Sequence, residues 1–209
     1  MSSPKQLIEG FRRFRERHFA EDGVLFKDLT QFGQTPKALV VACCDSRVDP
    51  ALVLDCAPGD LFVIRNVANL VPPAENQGHY HGTSAALEFG VRNLGVPHII
   101  VLGHAQCGGI HALLEGGVAK DDSFISEWMG IADAARHQIE HEFAGASDKI
   151  RHRACEQQAI LVSLHNLMTF TWISERVEQG RLTLHGWYFD IERGELMGYN
   201  AAIRQFETL

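Results

Sequence analysis

The chain has 209 residues and lacks any long hydrophobic run. A membrane-spanning helix needs about 20 consecutive apolar residues, so we expect no membrane span. The N-terminus also lacks the apolar core of a secretory signal. It carries several arginines, as transit peptides do, but Glu9 and Glu16 stand among them, whereas transit peptides are poor in acidic residues. We therefore interpret this segment as an amphipathic helix beginning near Pro4 and expect a cytoplasmic protein.

An excess of basic residues is missing as well. Lysine and arginine total 19 against 26 acidic residues, which gives a formal charge of −7. Because nucleic-acid-binding proteins usually present a basic face, we expect no nucleic-acid partner. The five cysteines are an odd number, which argues against a disulfide scaffold and for a reducing compartment. Internal repeats, low-complexity tracts and interdomain linkers are absent too, which favours one domain over residues 1–209.

Three short apolar runs indicate buried strands. They cover residues 38–43, 61–64 and 98–102, and residues 82–94 between the second and third read as a helix. Short runs rich in β-branched residues are typical of strands buried on both faces. Strands alternating with helices predict an α/β fold with a mostly parallel central sheet, flanking helices and right-handed crossovers.

The second half of the chain is predicted to be mainly helical. Periodic segments occupy residues 123–142 and 149–178, and Gly180 ends the second one. Residues 182–191 and 195–199 are predicted to form two strands joined by a tight turn, which gives a C-terminal hairpin at the edge of the sheet.

Two motifs carry the chemistry: Cys43-Cys44-Asp45-Ser46-Arg47 and His104-Ala105-Gln106-Cys107. The first ends one predicted parallel strand and the second follows another, so both should lie at the same edge of the sheet, where ligands bind in such folds. Two cysteines and one histidine form a zinc set that leaves a fourth position open, as in catalytic sites. There the metal lowers the pKa of bound water to about 7. We predict that Cys43, His104 and Cys107 bind Zn²⁺ and that the activated water is the nucleophile.

Asp45 and Arg47 are predicted to form a bidentate pair beside this metal. Asp45 would then orient the bound water. If Arg47 released it, Asp45 could itself occupy the fourth zinc position and block water. The alternative is an ion pair that only stiffens the loop. Cys44 should face the other way, and we expect it to be buried in the core.

Several further residues are each consistent with two interpretations. Cys56 and Cys155 have no metal-ligand spacing, and we expect both to pack in the core. For the loop residues His79 and His81, exposure to solvent is favoured over proton transfer. His111 could support the site or simply face solvent. Arg65 directly follows the second predicted strand, and it is equally consistent with binding an anion such as bicarbonate and with a structural role.

Taken together, these segments resemble the β-class carbonic anhydrases. The resemblance rests on Cys43-x-Asp-Ser-Arg47, Pro58-Gly-Asp-Leu-Phe-Val-Ile-Arg-Asn-Val-Ala-Asn69, Gly103-His-x-x-Cys-Gly-Gly109 and His185-Gly-Trp187. It implies zinc held by Cys43, His104 and Cys107, with Asp45 as fourth ligand or as partner of Arg47. It also implies reversible hydration of carbon dioxide to bicarbonate and a proton. Family members form dimers or multiples of dimers, and residues 1–35 would be the N-terminal helical arm that embraces a partner.

The chain departs from the family pattern at a few positions. Val40 and Phe189 stand where some bacterial members place a Trp and a Tyr that bind regulatory bicarbonate, which predicts that this pocket is absent or weak. Ala57 replaces a substrate-contacting Gln of plant-like members. Phe62, Val67 and Phe89 are candidates for the apolar wall of the substrate pocket. Alternative functions are hydrolysis of carbonyl sulfide or carbon disulfide at the same zinc, and a non-enzymatic zinc or bicarbonate sensor, against which the Asp45–Arg47 pair argues.

Overall fold

The structure is a computed structural model that describes residues 4–19, 23–75, 81–115 and 123–209. The chain divides into two compact units, Met1–Thr35 and Pro36–Leu209. The first unit contains helices α1 (Pro4–Phe19) and α2 (Val24–Phe32), and neither helix has a buried residue. Phe26 of α2 packs against three rings of α1, those of Phe14, His18 and Phe19. The predicted N-terminal helix is thus present, and α2 was not predicted.

The second unit is built on a six-stranded sheet with the order β2-β1-β3-β4-β5-β6. β1 pairs in parallel with β2 and β3, and β3 pairs in parallel with β4, whereas β5 and β6 are antiparallel additions. The predicted mostly parallel sheet is confirmed. The strands are β1 (Ala38–Cys43), β2 (Leu61–Asn66), β3 (His98–His104), β4 (Thr183–Asp190), β5 (Glu195–Asn200) and β6 (Gln205–Thr208).

Helices flank this sheet, and short helical turns extend some of them. A 3₁₀ turn, Val67–Asn69, follows β2, a π-helical turn, Phe89–Asn93, continues α4, and a 3₁₀ turn, Gly130–Ala132, separates α6 from α7. None of the described helices is both long and apolar enough to cross a membrane. The helices of this unit are α3 (Pro50–Val53), α4 (Gly82–Glu88), α5 (Gly108–Glu115), α6 (Phe124–Met129), α7 (Asp133–Glu142), α8 (Asp148–Leu167) and α9 (Thr171–Glu178).

Two details of the sheet differ from the sequence prediction. β2 was predicted to be buried on both faces, but it is an edge strand and only Ile64 in it is buried. An edge strand has one neighbour, so its side chains keep contact with solvent. The C-terminal hairpin is present as β4–β5, and β6, which was not predicted, continues it antiparallel to β5.

Helix α8 packs against the sheet at β3 and β4. The core includes Leu39 and Val101 of the two central strands together with Ile160 of α8. A Cβ atom added at Gly103 would lie 2.7 Å from Ile160 Cδ1, so the helix approaches the β3 backbone directly. A second apolar cluster surrounds Cys43 and Cys107 at the carboxyl edge of the sheet. This edge therefore combines a buried environment with chain ends that can present polar groups.

Candidate metal centre

The structure brings Cys43, His104 and Cys107 together at one edge of the sheet. Cys43 is the last residue of β1, His104 is the last residue of β3, and Cys107 directly precedes α5. One ligand atom from each of the three lies within 4.8 Å of the other two. All three residues are buried, with exposed fractions of 6% for Cys43 and 1% each for His104 and Cys107. The predicted convergence of the two motifs is therefore observed.

The turn between β3 and α5 places Cys107 beside Cys43. Gln106 has a φ of 58°, the left-handed conformation, which reverses the chain direction within one residue. The N–H of Ala105 donates to the Phe189 carbonyl at 2.9 Å and anchors the turn to β4. The N–H of Cys107 donates to Oε1 of Glu156 at 3.1 Å, which anchors the turn to α8.

His104 has one ring nitrogen satisfied and one free. Nδ1 lies 2.8 Å from the carbonyl oxygen of Ala105. Because a carbonyl can only accept, Nδ1 carries the proton and Nε2 carries the lone pair. Within the described part of the chain, Nε2 is buried and has no hydrogen-bond partner. A buried acceptor without a partner costs about 1–3 kcal/mol, and a metal ion at this position would satisfy it.

The two sulfur atoms also fit a shared zinc ion. Tetrahedral coordination with Zn–S bonds of about 2.3 Å would put two sulfurs about 3.8 Å apart. The observed distance between Cys43 Sγ and Cys107 Sγ is 3.9 Å. When the two sulfurs share one proton, the hydrogen bond between them lowers the pKa of Cys43 and raises the pKa of Cys107. A divalent cation in place of that proton would stabilise both as thiolates.

Asp45 and Arg47 form the bidentate pair that the sequence predicted. Arg47 Nε donates to Asp45 Oδ1 at 2.9 Å, and Nη2 donates to Oδ2 at 2.7 Å. These hydrogen bonds hold the pKa of the Asp45 carboxyl well below its usual range. Arg47 Nη2 also donates to the Gln106 carbonyl at 3.0 Å, which links the two motif loops. Oδ2 of Asp45 lies 4.0 Å from the free Nε2 of His104, so the carboxylate stands beside the three donor atoms.

Arg65 has a structural role in this arrangement. Its Nε donates to the Cys43 carbonyl at 2.9 Å, and its Nη2 donates to the Asp45 carbonyl at 2.7 Å. Its Nη1 pairs with Asp49 Oδ2 at 2.9 Å. Arg65 therefore fixes the backbone of the first motif from the neighbouring strand β2, and of its two predicted roles the structure supports this one.

Glu156 and Tyr188 are supporting residues that the sequence analysis missed. Glu156 is buried on α8, and burial raises the pKa of its carboxyl. Its Oε1 accepts from the Cys107 N–H, and its Oε2 accepts from the Tyr188 hydroxyl at 2.7 Å. A usable signal was present, because Glu156 shares helical spacing with the buried Ile160, Ser163 and Leu167. An acid within such a stripe indicates a buried polar contact.

One prediction about side-chain placement is wrong. Cys44 was expected in the core, but it is exposed, because β1 ends at Cys43 and strand alternation does not extend into the following loop. Phe62 and Phe89, which are expected to line the substrate pocket, stack on each other with ring centroids 5.9 Å apart. Within the same chain Phe62 is in register with Leu39, four residues before Cys43 on β1, and the place of the two rings in the pocket stays a prediction.

An apolar cavity opens beside Cys44. It has a volume of about 810 Å³ and includes Val67, the third residue predicted for the substrate pocket. Its remaining lining is Asn66, Pro72, Pro73, Glu75, His81, Gly82, Thr83, Ser84, Phe124, Ile125, Glu127, Trp128 and Ile131. Trp128 Nε1 donates to the Val67 carbonyl at 2.8 Å and fixes this wall.

Of the remaining residues considered in the sequence, those that the structure describes lie outside the group formed by Cys43, His104 and Cys107. Cys155 is buried as expected, and Cys56 is partly buried. His79 lies outside the described residues. His81 directly precedes α4 and is exposed. His111 lies on α5, is mostly exposed and contacts His152 of α8.

Comparison with known proteins agrees with this fold and site. The family model described as "Carbonic anhydrase" matches residues 38–196. A carbonic anhydrase of Pseudomonas aeruginosa is 39% identical over 206 residues, which cover 98% of this chain and 91% of the relative. The chain therefore belongs to the carbonic anhydrase family and is an enzyme of that family.

Solved structures narrow the assignment to the β class. The β-carbonic anhydrase CcaA is 34% identical, with a TM-score of 0.92, and the match covers 98% of this chain and 91% of that chain. One of two tetrameric β-carbonic anhydrases from Sordaria macrospora is 29% identical, with a TM-score of 0.77 and coverage of 95% and 94%.

Proposed function

We propose that this enzyme catalyses the reversible hydration of carbon dioxide to bicarbonate and a proton, at a Zn²⁺ ion held by Cys43, His104 and Cys107. Family membership supports the reaction. The observation that carries the ligand assignment is the buried Nε2 of His104, which has no hydrogen-bond partner in the described chain and lies in a group with two cysteine sulfurs. Zinc bound there supplies a water molecule that is activated for nucleophilic attack at neutral pH.

Asp45 has the role of orienting that water. Its carboxylate accepts hydrogen bonds from Arg47 and keeps a lone pair for a water at the fourth zinc position. Because the Arg47 guanidinium lowers the pKa of Asp45, this carboxyl stays ionised and acts only as an acceptor. Arg47 also keeps Asp45 from occupying the fourth position itself. We therefore propose that three protein residues bind the metal in the active form and that Asp45 does not coordinate it.

The apolar cavity beside Cys44 is the proposed approach for carbon dioxide. Carbon dioxide is uncharged, so an apolar wall such as Val67 and Trp128 favours it over water. Water attack on carbon dioxide then gives bicarbonate, and the released proton passes to solvent buffer. Bicarbonate carries a charge that such a wall does not stabilise, which favours its release.

We further propose that the chain acts as a homodimer or a multiple of dimers in the cytoplasm. Related β-carbonic anhydrases from Sordaria macrospora are described as tetrameric. Residues 1–35 would be the arm that covers a second copy, with residues 36–209 as the catalytic body; the two compact units support this division of one domain and its arm.

The decisive experiment is stopped-flow hydration of carbon dioxide at pH 7 and pH 8.5, with zinc counted on the same reduced sample. We expect about one tightly bound zinc per chain and a rate that rises with pH. Cys107→Ala should lose zinc and activity together, and a fully zinc-loaded, active variant would refute the ligand assignment. Full zinc with no hydration at either pH would refute the proposed reaction. Turnover of carbonyl sulfide or carbon disulfide would then separate the sulfur-hydrolase alternative from a sensor.

A further inference from the structure

A second group of metal-ligating side chains lies on the surface, outside the centre described above. His111 and Glu115 are on α5, and His152 is on α8. One ligand atom from each lies within 4.8 Å of the other two. His111 and Glu115 are both half exposed, and His152 is mostly buried. Nothing in the proposed hydration reaction uses these three residues.

Their spacing matches the edges of a tetrahedron around a small cation. Bonds of about 2.0–2.1 Å to nitrogen or oxygen at tetrahedral angles would separate ligand atoms by about 3.3–3.4 Å. The observed distances are 3.3 Å between His111 Nδ1 and His152 Nε2, 3.6 Å between His111 Nδ1 and Glu115 Oε1, and 3.5 Å between His152 Nε2 and Glu115 Oε1. All three edges are therefore close to the required length without rearrangement of the helices.

The backbone also favours this arrangement. His111 and Glu115 are four residues apart on one helix, so their side chains share a face one turn apart. His152 adds the third donor from a different helix. Two imidazoles and one carboxylate form a ligand set that suits zinc and similar divalent transition metals. It disfavours Mg²⁺ and Ca²⁺, which prefer oxygen ligands only.

We propose that His111, Glu115 and His152 form a second binding site for a divalent transition-metal ion, with Zn²⁺ as the representative ligand. The bound ion ties α5 to α8. Cys107 directly precedes α5, and Glu156, one turn after His152 on α8, accepts the Cys107 N–H. The second ion therefore joins the same two helices that position Cys107, and it stabilises their contact. Water from the solvent completes its coordination.

Titration of the zinc-loaded, desalted protein with further Zn²⁺ tests this site by calorimetry and by metal analysis. We expect the wild type to take up one additional zinc per chain. His111→Gln and His152→Gln should take up none, and Glu115→Gln should bind at least tenfold more weakly. Co²⁺ added to the same protein identifies the ligands, because the second ion should give visible d–d bands without the charge-transfer band of a thiolate ligand.

His98→Gln is the matched control. His98 Nδ1 and His185 Nε2 are also 3.3 Å apart, but within the described chain no third ligand completes that pair. This variant should keep the additional zinc. Absence of further uptake by the wild type would overturn the proposal, as would undiminished uptake by both the His111 and the His152 variants, provided that circular dichroism shows each variant folded. The Co²⁺ spectrum reports metal binding at the His111–Glu115–His152 site even if the cysteine centre binds no metal.

Discussion

At the residue scale, Arg47 controls what Asp45 can do. It binds both oxygens of the Asp45 carboxylate and also the Gln106 carbonyl. In Arg47→Ala the carboxylate keeps only the hydrogen bond from the backbone N–H of residue 47 to Oδ1, so Oδ2, which lies 4.0 Å from His104 Nε2, can turn toward the metal position. We expect zinc content to stay at the wild-type level and kcat to fall about a hundredfold or more, the size typical for loss of a positioned acid or base.

The control for this variant is Arg92→Ala. Arg92 also pairs with one acid, Glu88, but on the exposed surface of α4 and its π-helical extension. It should leave both zinc content and kcat unchanged. Normal turnover in Arg47→Ala would remove the Asp45–Arg47 pair from the mechanism, and loss of zinc would show that the pair supports the ligands instead.

Glu156 is the second residue whose removal should have a large effect. Glu156→Ala leaves the buried Cys107 N–H and Tyr188 hydroxyl without their acceptor. Each buried unpaired group costs about 1–3 kcal/mol, so we expect the free energy of unfolding to fall by about 2–6 kcal/mol in urea titrations. Tyr188→Phe leaves only Glu156 Oε2 without its partner and should cost about 1–3 kcal/mol.

The exposed Glu178 of α9 provides the comparison for that measurement. Glu178→Ala should change the free energy of unfolding by no more than about 0.5 kcal/mol. If Glu156→Ala were as stable as Glu178→Ala, the two hydrogen bonds to Glu156 would make no measurable contribution to the free energy of unfolding.

The sequence motifs predicted which side chains converge at the edge of the sheet better than which residues support them. Cys43, Asp45, Arg47, His104 and Cys107 could be named because their chemistry is local to two short motifs. Helical spacing marks Glu156 as a buried acid. The contacts that Glu156 and Arg65 make depend on which helix and which strand lie beside the motifs, and no local pattern contains that information. Cys44 was placed wrongly because strand alternation was extended one residue beyond the end of β1.

At the element scale, the start of α5 packs tightly against the 3₁₀ turn after β2. A Cβ added at Gly109 would lie 2.9 Å from Val67 Cγ1 and 3.2 Å from Ala68 Cβ. Neither neighbour is a long side chain that can turn away. We expect Gly109→Ala to lower the free energy of unfolding by about 1–3 kcal/mol, as overpacking does, and to weaken zinc retention because Cys107 lies just before this helix.

Gly108→Ala is the matched control on the adjacent residue. A Cβ at Gly108 would meet no described atom within 4 Å. Because alanine is also the better helix former, this variant should be as stable as the wild type or slightly more stable. Equal thermal midpoints for the two alanine variants would contradict the close packing at Gly109.

The elements that could be predicted are those whose pattern is decided within the element. The short apolar runs of β1 and β3 reflect burial on both faces, and both strands are present. β6 has one apolar residue, Phe206, and exists because its backbone pairs with β5. β2 resembles an inner strand in sequence, and only the strand order makes it an edge. Pairing partners are properties of the whole sheet and are not visible in a six-residue window.

At the scale of the whole molecule, two surfaces are unusually apolar. In the first unit, Leu7, Phe11 and Phe32 are among the most exposed large side chains, and neither helix buries a residue. In the second unit, Phe124 at the apolar cavity is 94% exposed. Short helices gain most of their stability by packing an apolar face, so an uncovered pair of amphipathic helices implies that another surface covers it.

We expect a second copy of the chain to provide that cover. Ile8→Ser combined with Phe11→Ser removes two exposed apolar side chains of α1 without adding charge. Sedimentation velocity should show the wild type as a dimer or a multiple of dimers, and the double variant should dissociate at protein concentrations at least tenfold higher. Ile150→Ser, at an exposed isoleucine of α8, is the control and should sediment as the wild type does. A monomeric wild type at micromolar concentration would exclude the proposed assembly, and an unchanged double variant would exclude α1 from its interface.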